Sequence, residues 1–348
     1  MVHSAYDSVE LLKGCPARID AAAAYGSKLL LGCSDASLRI YAPSSALPVP
    51  LAGGGGGGGD DGPPPPDAEI RREPYVPERT VSGFWKRAPL AMEVCRSRDL
   101  LLSLSEWVAV HRLPNLETVV AIGKTKGAHV CSWDDRRGFL CVGRQKRVAI
   151  YRLDGGREFV EVKEFGVPDV VKSMAWCGEN ICVGVRREYM IMNSTTGALS
   201  EIFSSGRIAP SLVVPLPSGE LLLGKVASHH ENGLDVKSKG LKRMQWCWLA
   251  VVEARKKIKG GGIRSLRAPY PLVQTVGLRD VHLLLQSNNS LIATLSNAVY
   301  GLLPVPLIAQ IVQLTASGDF EEALSLCKLI PPEDSSLRAS KESLIHIR

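Results

Sequence analysis

His229 and His230 stand side by side, and nine cysteines are spread between Cys15 and Cys327. These are the residue types from which a zinc site or a thiol nucleophile is built. Their spacing argues against both. Adjacent histidines diverge on a strand or a helix, and no Cys or carboxylate stands at ligand spacing from this pair, so a surface loop is expected there. The cysteine number is odd, no CxxC pair exists, and Cys33, Cys141 and Cys182 sit inside apolar runs. That pattern reads as buried free thiols in a reducing compartment. No GxSxG, HExxH or paired-carboxylate motif occurs, and GxGxxG is met only trivially, inside a run of seven glycines. The glycine run Gly53–Gly59 lacks the GKS/T tail and the strand–helix context of a phosphate cradle. The expectation is therefore no catalytic residue, no cofactor, no metal and no small-molecule substrate: a protein that is not an enzyme.

Charge narrows the partners. Of 42 Lys/Arg and 35 Asp/Glu, eleven basic and three acidic residues fall between Lys225 and Arg267. The rest of the chain holds 31 basic and 32 acidic residues and is close to neutral, which argues against a nucleic-acid footprint. Met1 to Gly14 has neither the basic nor the apolar region of a secretory signal, and no window holds the roughly 18 apolar residues of a membrane span. A cytoplasmic chain is expected, with the sequons at Asn193 and Asn288 unused.

The elements that position these residues follow from an internal repeat. An apolar run, a Gly or Ser, a short polar turn and an alternating apolar run recur at Lys28–Tyr41, Asp99–Leu113, Gly138–Leu153 and Glu179–Met192, with partial copies from Gly219 and Ser290. Each copy reads as a β-hairpin. The anchors Ser103, Gly143, Gly184 and Gly224 are spaced by 40, 41 and 40 residues. A period near 40 residues is that of a propeller blade of four short strands. The 71-residue step from Gly32 to Ser103 is one period plus an insertion. The 70-residue step from Gly224 to Thr294 is counted as two, with a damaged copy near residue 260. The expected fold is all-β with a small α appendage: a propeller of about seven blades over 1–303. Tyr6–Leu12 would supply a strand to the last blade and close the ring.

Two segments interrupt the pattern. Residues 43–80 hold the glycine run and Pro63–Pro66; such a composition cannot offset its ordering entropy, so a disordered insertion is expected. Residues 226–262 are apolar and then basic, carry most of the excess charge and break the repeat, so an incomplete sixth blade is expected there. Trp133-Asp134-Asp135 admits two readings, a Trp packed between blades beside an Asp that caps a turn, or simply the turn-forming DDRRG stretch. After Pro304 and Pro306 the pattern turns helical. Leu307, Ile311, Val312 and Leu314 recur at helix spacing, Ser317-Gly318 stops that helix, and Asp319 with Glu322 starts a second. Ser335–Arg348 reads as a third, so 304–348 is the start of a helical repeat array, an α-solenoid.

Seven stretches carry a resemblance: AYGSKLLLGCSDASLRIY (24–41), LPNLETV (113–119), SWDDRRGFLCVGRQKRV (132–148), VKSMAWCGENICVG (171–184), SGELLLGK (218–225), RAPYPLVQT (267–275) and the stretch from Val305 to Ser343. The chain resembles plant vacuolar-sorting proteins of the Vam/Vps thirty-nine-like family, over about 85% of its length. It departs from them across 226–262, and it stops at Arg348 where the family continues. The resemblance implies a citron-homology propeller followed by a clathrin-repeat-like array. It also implies a subunit of the HOPS tethering complex, peripheral on the late endosomal or vacuolar membrane, with other tethering subunits and a Rab-type GTPase as partners. A citron-homology regulatory module that binds a small GTPase in signalling stays open as the alternative.

Overall fold

The computed structural model describes residues 6–46, 70–155, 158–204, 213–215, 220–226, 247–253, 281–287, 290–318 and 320–327. The chain opens with β1 (Tyr6–Leu12) and then lays down antiparallel sheets in sequence order. The first holds β2 (Ile19–Tyr25), β3 (Lys28–Cys33), β4 (Leu38–Pro43) and β5 (Tyr75–Val81). The second holds β6 (Ala91–Cys95), β7 (Leu100–Leu104), β8 (Val108–Arg112) and β9 (Glu117–Ile122). The third holds β10 (Val130–Asp134), β11 (Phe139–Arg144), β12 (Arg147–Asp154) and β13 (Glu158–Gly166). The fourth holds β14 (Val171–Cys177), β15 (Asn180–Val185), β16 (Glu188–Asn193) and β17 (Leu199–Ser204). The fifth has three described strands, β18 (Val213–Pro215), β19 (Glu220–Val226) and β20 (Cys247–Glu253). The last holds β21 (Leu283–Ser287), β22 (Ser290–Thr294) and β23 (Val299–Pro304), with β1 as its fourth strand.

This is a β-propeller. The inner strands touch in order, β2 to β6 to β10 to β14 to β18 to β21 and back to β2. β1 pairs with β23 from Tyr6↔Pro304 to Leu12↔Val299, so the amino-terminal strand closes the ring as its sequence suggested. The expectation of about seven blades is corrected. The described residues make five four-stranded blades and one three-stranded sheet. The six anchors Gly32, Ser103, Gly143, Gly184, Gly224 and Thr294 each lie on the second strand of a different sheet. No slot is left for a blade between Gly224 and Thr294, because β18 and β21 are in direct contact. Part of that 70-residue step is a long excursion from β19 to β20 within one sheet. Residues 226–262 thus supply a third strand, Cys247–Glu253, paired with β19 from Val226↔Cys247 to Glu220↔Glu253. The copy expected near residue 260 and the pair His229-His230 lie outside the described residues.

The core is a series of layers between neighbouring blades. Leu11, Leu29, Ile292 and Leu303 fill the layer between the last and first blades, and Leu30, Trp85, Met92 and Leu101 the next. Cys95, Leu102, Trp133 and Phe159 follow between the second and third, then Cys141, Met174, Trp176 and Val183 between the third and fourth. A fully buried leucine contributes roughly 2–3 kcal/mol, so these layers dominate the stability. Four alanines, Ala21–Ala24, are buried on the inner strand β2, where small side chains fit the narrowing centre of the ring.

Two local expectations change. The insertion was read as running to residue 80, yet Tyr75–Val81 is the outer strand of the first blade. An outer edge tolerates Pro77, which pairs with Tyr41 where the register slips between Ile40 and Tyr41. Beyond the ring, α1 (Leu307–Ser317) ends at Gly318 with φ +86° and packs against α2 (Phe320–Cys327). Ile311, Leu314, Ala323 and Cys327 form their shared core, whereas Val312 is 50% exposed and does not join it. An α-hairpin is what the described residues hold; Asp319 and the helix expected over Ser335–Arg348 lie outside them.

Candidate interaction surface

In the third and fourth blades the turns from second to third strand are tight and polar. In the third blade this turn is Gln145-Lys146, closed by the pair Arg144↔Arg147. In the fourth it is Arg186-Arg187, closed by Val185↔Glu188. Gln145 and Arg186 have φ of +52° and +53°, a region that favours Gly or Asn and costs other residues about 1 kcal/mol. The strain is accepted with long polar side chains at the two tips. The link from β13 to β14 lies against the third tip. Val167 N–H donates to Lys146 O (2.9 Å), Val171 N–H to Gln145 O (3.3 Å), and His129 Nε2–H to Val171 O (2.7 Å).

These elements bound an open cavity of about 550 Å³ lined by Gln145, Lys146, Arg147, Glu164, Phe165, Gly166 and Val170. Its rim is an ion network in which each carboxylate serves two cations. Glu164 takes Arg147 at 2.7 Å and Arg144 at 3.3 Å; Asp169 takes Arg186 at 3.2 Å and Lys146 at 3.7 Å. Asp169 is held below the usual carboxylate value by its hydrogen bond from the Val170 N–H and by Arg186. Four cations against two carboxylates leave surplus positive charge, which suits an anionic partner surface and supplies no nucleophile or base. Among the described residues, no group of three or more His, Cys, Asp or Glu is placed to hold a metal.

Trp133 and Asp134 fulfil both readings of their dipeptide. Trp133 packs against Phe159 with ring centroids 6.1 Å apart. Asp134 Oδ1 accepts the Arg136 and Arg137 amides at 3.1 and 3.3 Å, and its carboxylate pairs with Arg137. Arg137 lies over the Trp176 ring at 4.8 Å. Glu93 on β6 is a functional-type residue to which the sequence motifs and spacings gave no role. This carboxylate accepts the Trp133 N–H at 2.8 Å across two blades, and desolvation raises it to about 7. A single Glu inside AMEVC was the available signal. Its hydrogen-bond partners are the Trp133 N–H and the Ser132 hydroxyl, and its charge helps to raise the buried Cys131 and Cys141 thiols.

The second to fourth sheets and the first two strands of the fifth fall within a known domain. Residues 83–227 match the CNH domain. The whole chain aligns at 53% identity over 363 residues with vacuolar sorting protein 39 of Arabidopsis thaliana, covering 34% of that protein. The chain belongs to the Vam6/Vps39-like family. The Vam6/Vps39-like protein of Mus musculus is 28% identical over 99% of this chain and 39% of its own length. Transforming growth factor-beta receptor-associated protein 1 homolog of Danio rerio is 28% identical over 47% of the chain. The alignment with the Arabidopsis protein covers the whole chain, more than the 85% expected from the resemblance. The chain spans between about a third and two fifths of the length of its Vps39-like relatives. No helix among the described residues is long and apolar enough to cross a membrane.

Proposed function

We propose that this chain is a non-catalytic interaction subunit of a HOPS-like membrane-tethering complex. It acts in vesicle trafficking at the vacuole or late endosome, peripheral to the membrane, and engages a Rab-type GTPase and other tethering subunits. The observation that carries this reading is the 53% identity to vacuolar sorting protein 39 across the whole chain. The propeller supports it physically, because a closed ring of short blades offers rigid turn clusters for docking and buries its strand edges. The domain division is residues 1–303 as the propeller and 304–348 as the beginning of a helical array that joins other subunits; the α1–α2 hairpin supports that second part. The basic tips of the third and fourth blades are the docking surface, reading an acidic patch on the partner.

The test is affinity purification of the full chain from cells with quantitative mass spectrometry, beside a variant carrying Arg144→Glu, Arg147→Glu and Arg186→Glu. Tethering-complex subunits and a GTP-loaded Rab protein are expected with the unmodified chain, and recovery of at least one of them should fall about tenfold in the variant, as reversing several rim charges predicts. Recovery of a signalling GTPase with no tethering subunit would replace this reading with the regulatory-module alternative.

A further inference from the structure

Two thiols meet at the seam of the ring. Cys15 lies in the loop 13–18 that leaves β1, and Cys33 ends β3. Their Sγ atoms are 3.7 Å apart, and the residues are 6% and 0% exposed. The Tyr41 hydroxyl lies 3.8 Å from Cys15 Sγ. The loop holds last and first blades together through its backbone. Cys15 N–H donates to Asn297 O at 2.6 Å, Ile19 N–H to Ser296 O at 2.8 Å, and Ser34 N–H to Arg18 O at 2.8 Å.

A disulfide needs about 2.05 Å between sulfurs, so closure requires an approach of about 1.7 Å. The loop permits it. Lys13, Gly14, Pro16 and Arg18 around Cys15 are exposed, and nothing crowds Gly14 within 4 Å. The two sulfurs also differ in chemistry. Burial pushes the Cys95, Cys131 and Cys182 thiols up. Cys15 goes the other way, to about 6, because the Cys33 thiol hydrogen-bonds its sulfur; Cys33 is raised in turn. One sulfur is the nucleophile and the other keeps its proton.

We propose that Cys15 and Cys33 form a redox-modifiable dithiol whose oxidation to a disulfide by hydrogen peroxide staples the closure of the ring. The Cys15 thiolate attacks one peroxide oxygen; the O–O bond breaks, and Cys15 becomes a sulfenic acid while hydroxide leaves and takes up the proton Cys15 had released. Cys33 sulfur then attacks the sulfenic sulfur; the S–O bond breaks, and water leaves with the Cys33 proton. In sum, two thiols and one peroxide give one disulfide and two waters: the sulfurs lose two electrons and the peroxide gains them. The staple fixes the loop onto β3 and so limits the peeling of β1 from β23, the pairing on which closure rests.

Trypsin reads this directly, since Cys15 falls in the peptide 14–18 and Cys33 in 29–39. The full chain is reduced, given one equivalent of hydrogen peroxide, blocked with N-ethylmaleimide, denatured and digested without reductant. The two peptides are expected as one species, two hydrogens lighter than their sum and split by dithiothreitol. In Cys33→Ser the Cys15 sulfenic acid is expected to be trapped by dimedone. Brief digestion of the native oxidised chain should cut after Lys13 and Arg18 several-fold more slowly than the reduced chain. Recovery of peptide 14–18 alkylated after peroxide, or joined to another cysteine, overturns the proposal. A 15–33 disulfide that leaves cleavage at Lys13 and Arg18 unchanged overturns the staple. The mapping on the unsubstituted chain stands even if a serine variant fails to fold.

Discussion

Ser103 Oγ lies 3.0 Å from His111 Nε2, with both side chains buried in the second blade. Ser103 also accepts the Trp85 Nε1–H at 3.0 Å, and His111 Nδ1 lies 3.1 Å from Thr118 Oγ1. The anchor position that is glycine in four other sheets is here the middle of a polar relay. Burial lowers His111 to about 4, so the ring is neutral in the folded protein at pH 7. The unfolded chain takes up that proton near pH 6.5. The unfolded state therefore binds more protons between pH 6.5 and 4, and stability is full above pH 6.5 and lost as pH falls towards 4. His111→Gln removes this loss. Its deficit against the unsubstituted protein should shrink by roughly 2 kcal/mol between pH 7 and pH 4.5, read from urea unfolding.

Glu93 has the opposite sign. Its folded value of about 7 lies above the ordinary 4.5, so the folded state binds the extra proton between those values. Stability from this group rises as pH falls from above 7 towards 4.5. Glu93→Gln keeps an acceptor for the Trp133 N–H and removes the charge. The variant should gain about 1–2 kcal/mol over the parent at pH 8 and less than half of that at pH 5, after discounting for the partial exposure of this side chain. No gain at pH 8 would show that water in the ring solvates the carboxylate.

Much of this architecture was legible because one physical constraint repeats. The second strand of a blade runs between two packed layers, so it carries an apolar run with a small anchor, and six such anchors mark six sheets. The Tyr6–Leu12 closure was an inference from the need to complete the last blade and had no signal of its own in the residues; the pairing of β1 with β23 bears it out. The seventh blade was a miscount, since a 40-residue period cannot distinguish a lost blade from a long turn inside one. The strand Cys247–Glu253 inside the apolar-then-basic stretch 226–262 was not legible, because a short apolar run has no period that separates strand from helix. The basic rim was invisible for another reason: Arg147 and Glu164 are 17 residues apart, and only strand pairing brings them together.

Gly143 shows why the anchor is small. A Cβ there would lie 2.5 Å from Val130 Cγ1 and 3.4 Å from Val171 Cβ, both backed by the layer between third and fourth blades. Gly143→Ala should cost about 1–3 kcal/mol, measured as a lower denaturant midpoint with an unchanged slope. A neutral result would mean that the layer can open locally.

Thr294 holds the anchor position of the last blade, is 0% exposed, and its Oγ1 has no hydrogen-bond partner among the described residues. Thr294→Val keeps the shape and removes the unpaired hydroxyl. Stability should rise by about 1 kcal/mol, seen as a higher unfolding temperature. A fall would identify a partner for that hydroxyl in solution.

The Gly/Pro tract is expected to be dispensable, because its neck is held without it. Ser44 N–H donates to Pro74 O at 3.0 Å, and Ser45 Oγ donates to Glu73 Oε1 at 2.6 Å while accepting from Arg71 Nη1 at 2.8 Å. Ile70 and Tyr75 are buried in the layer between last and first blades, so the returning chain is anchored by its own packing. Deleting Gly53 to Pro66 leaves a shorter link between ends that already touch, and loop entropy changes by less than about 1 kcal/mol. The unfolding midpoint should stay within about 3 °C of the parent, since 1 kcal/mol moves a domain of this size by only a few degrees. Glu73→Ala is the control: it unties Ser44 and Ser45 with the tract intact, and should lower the midpoint more than the deletion does. If the deletion abolishes cooperative unfolding while Glu73→Ala is silent, the tract itself, and not the neck, supports the first blade.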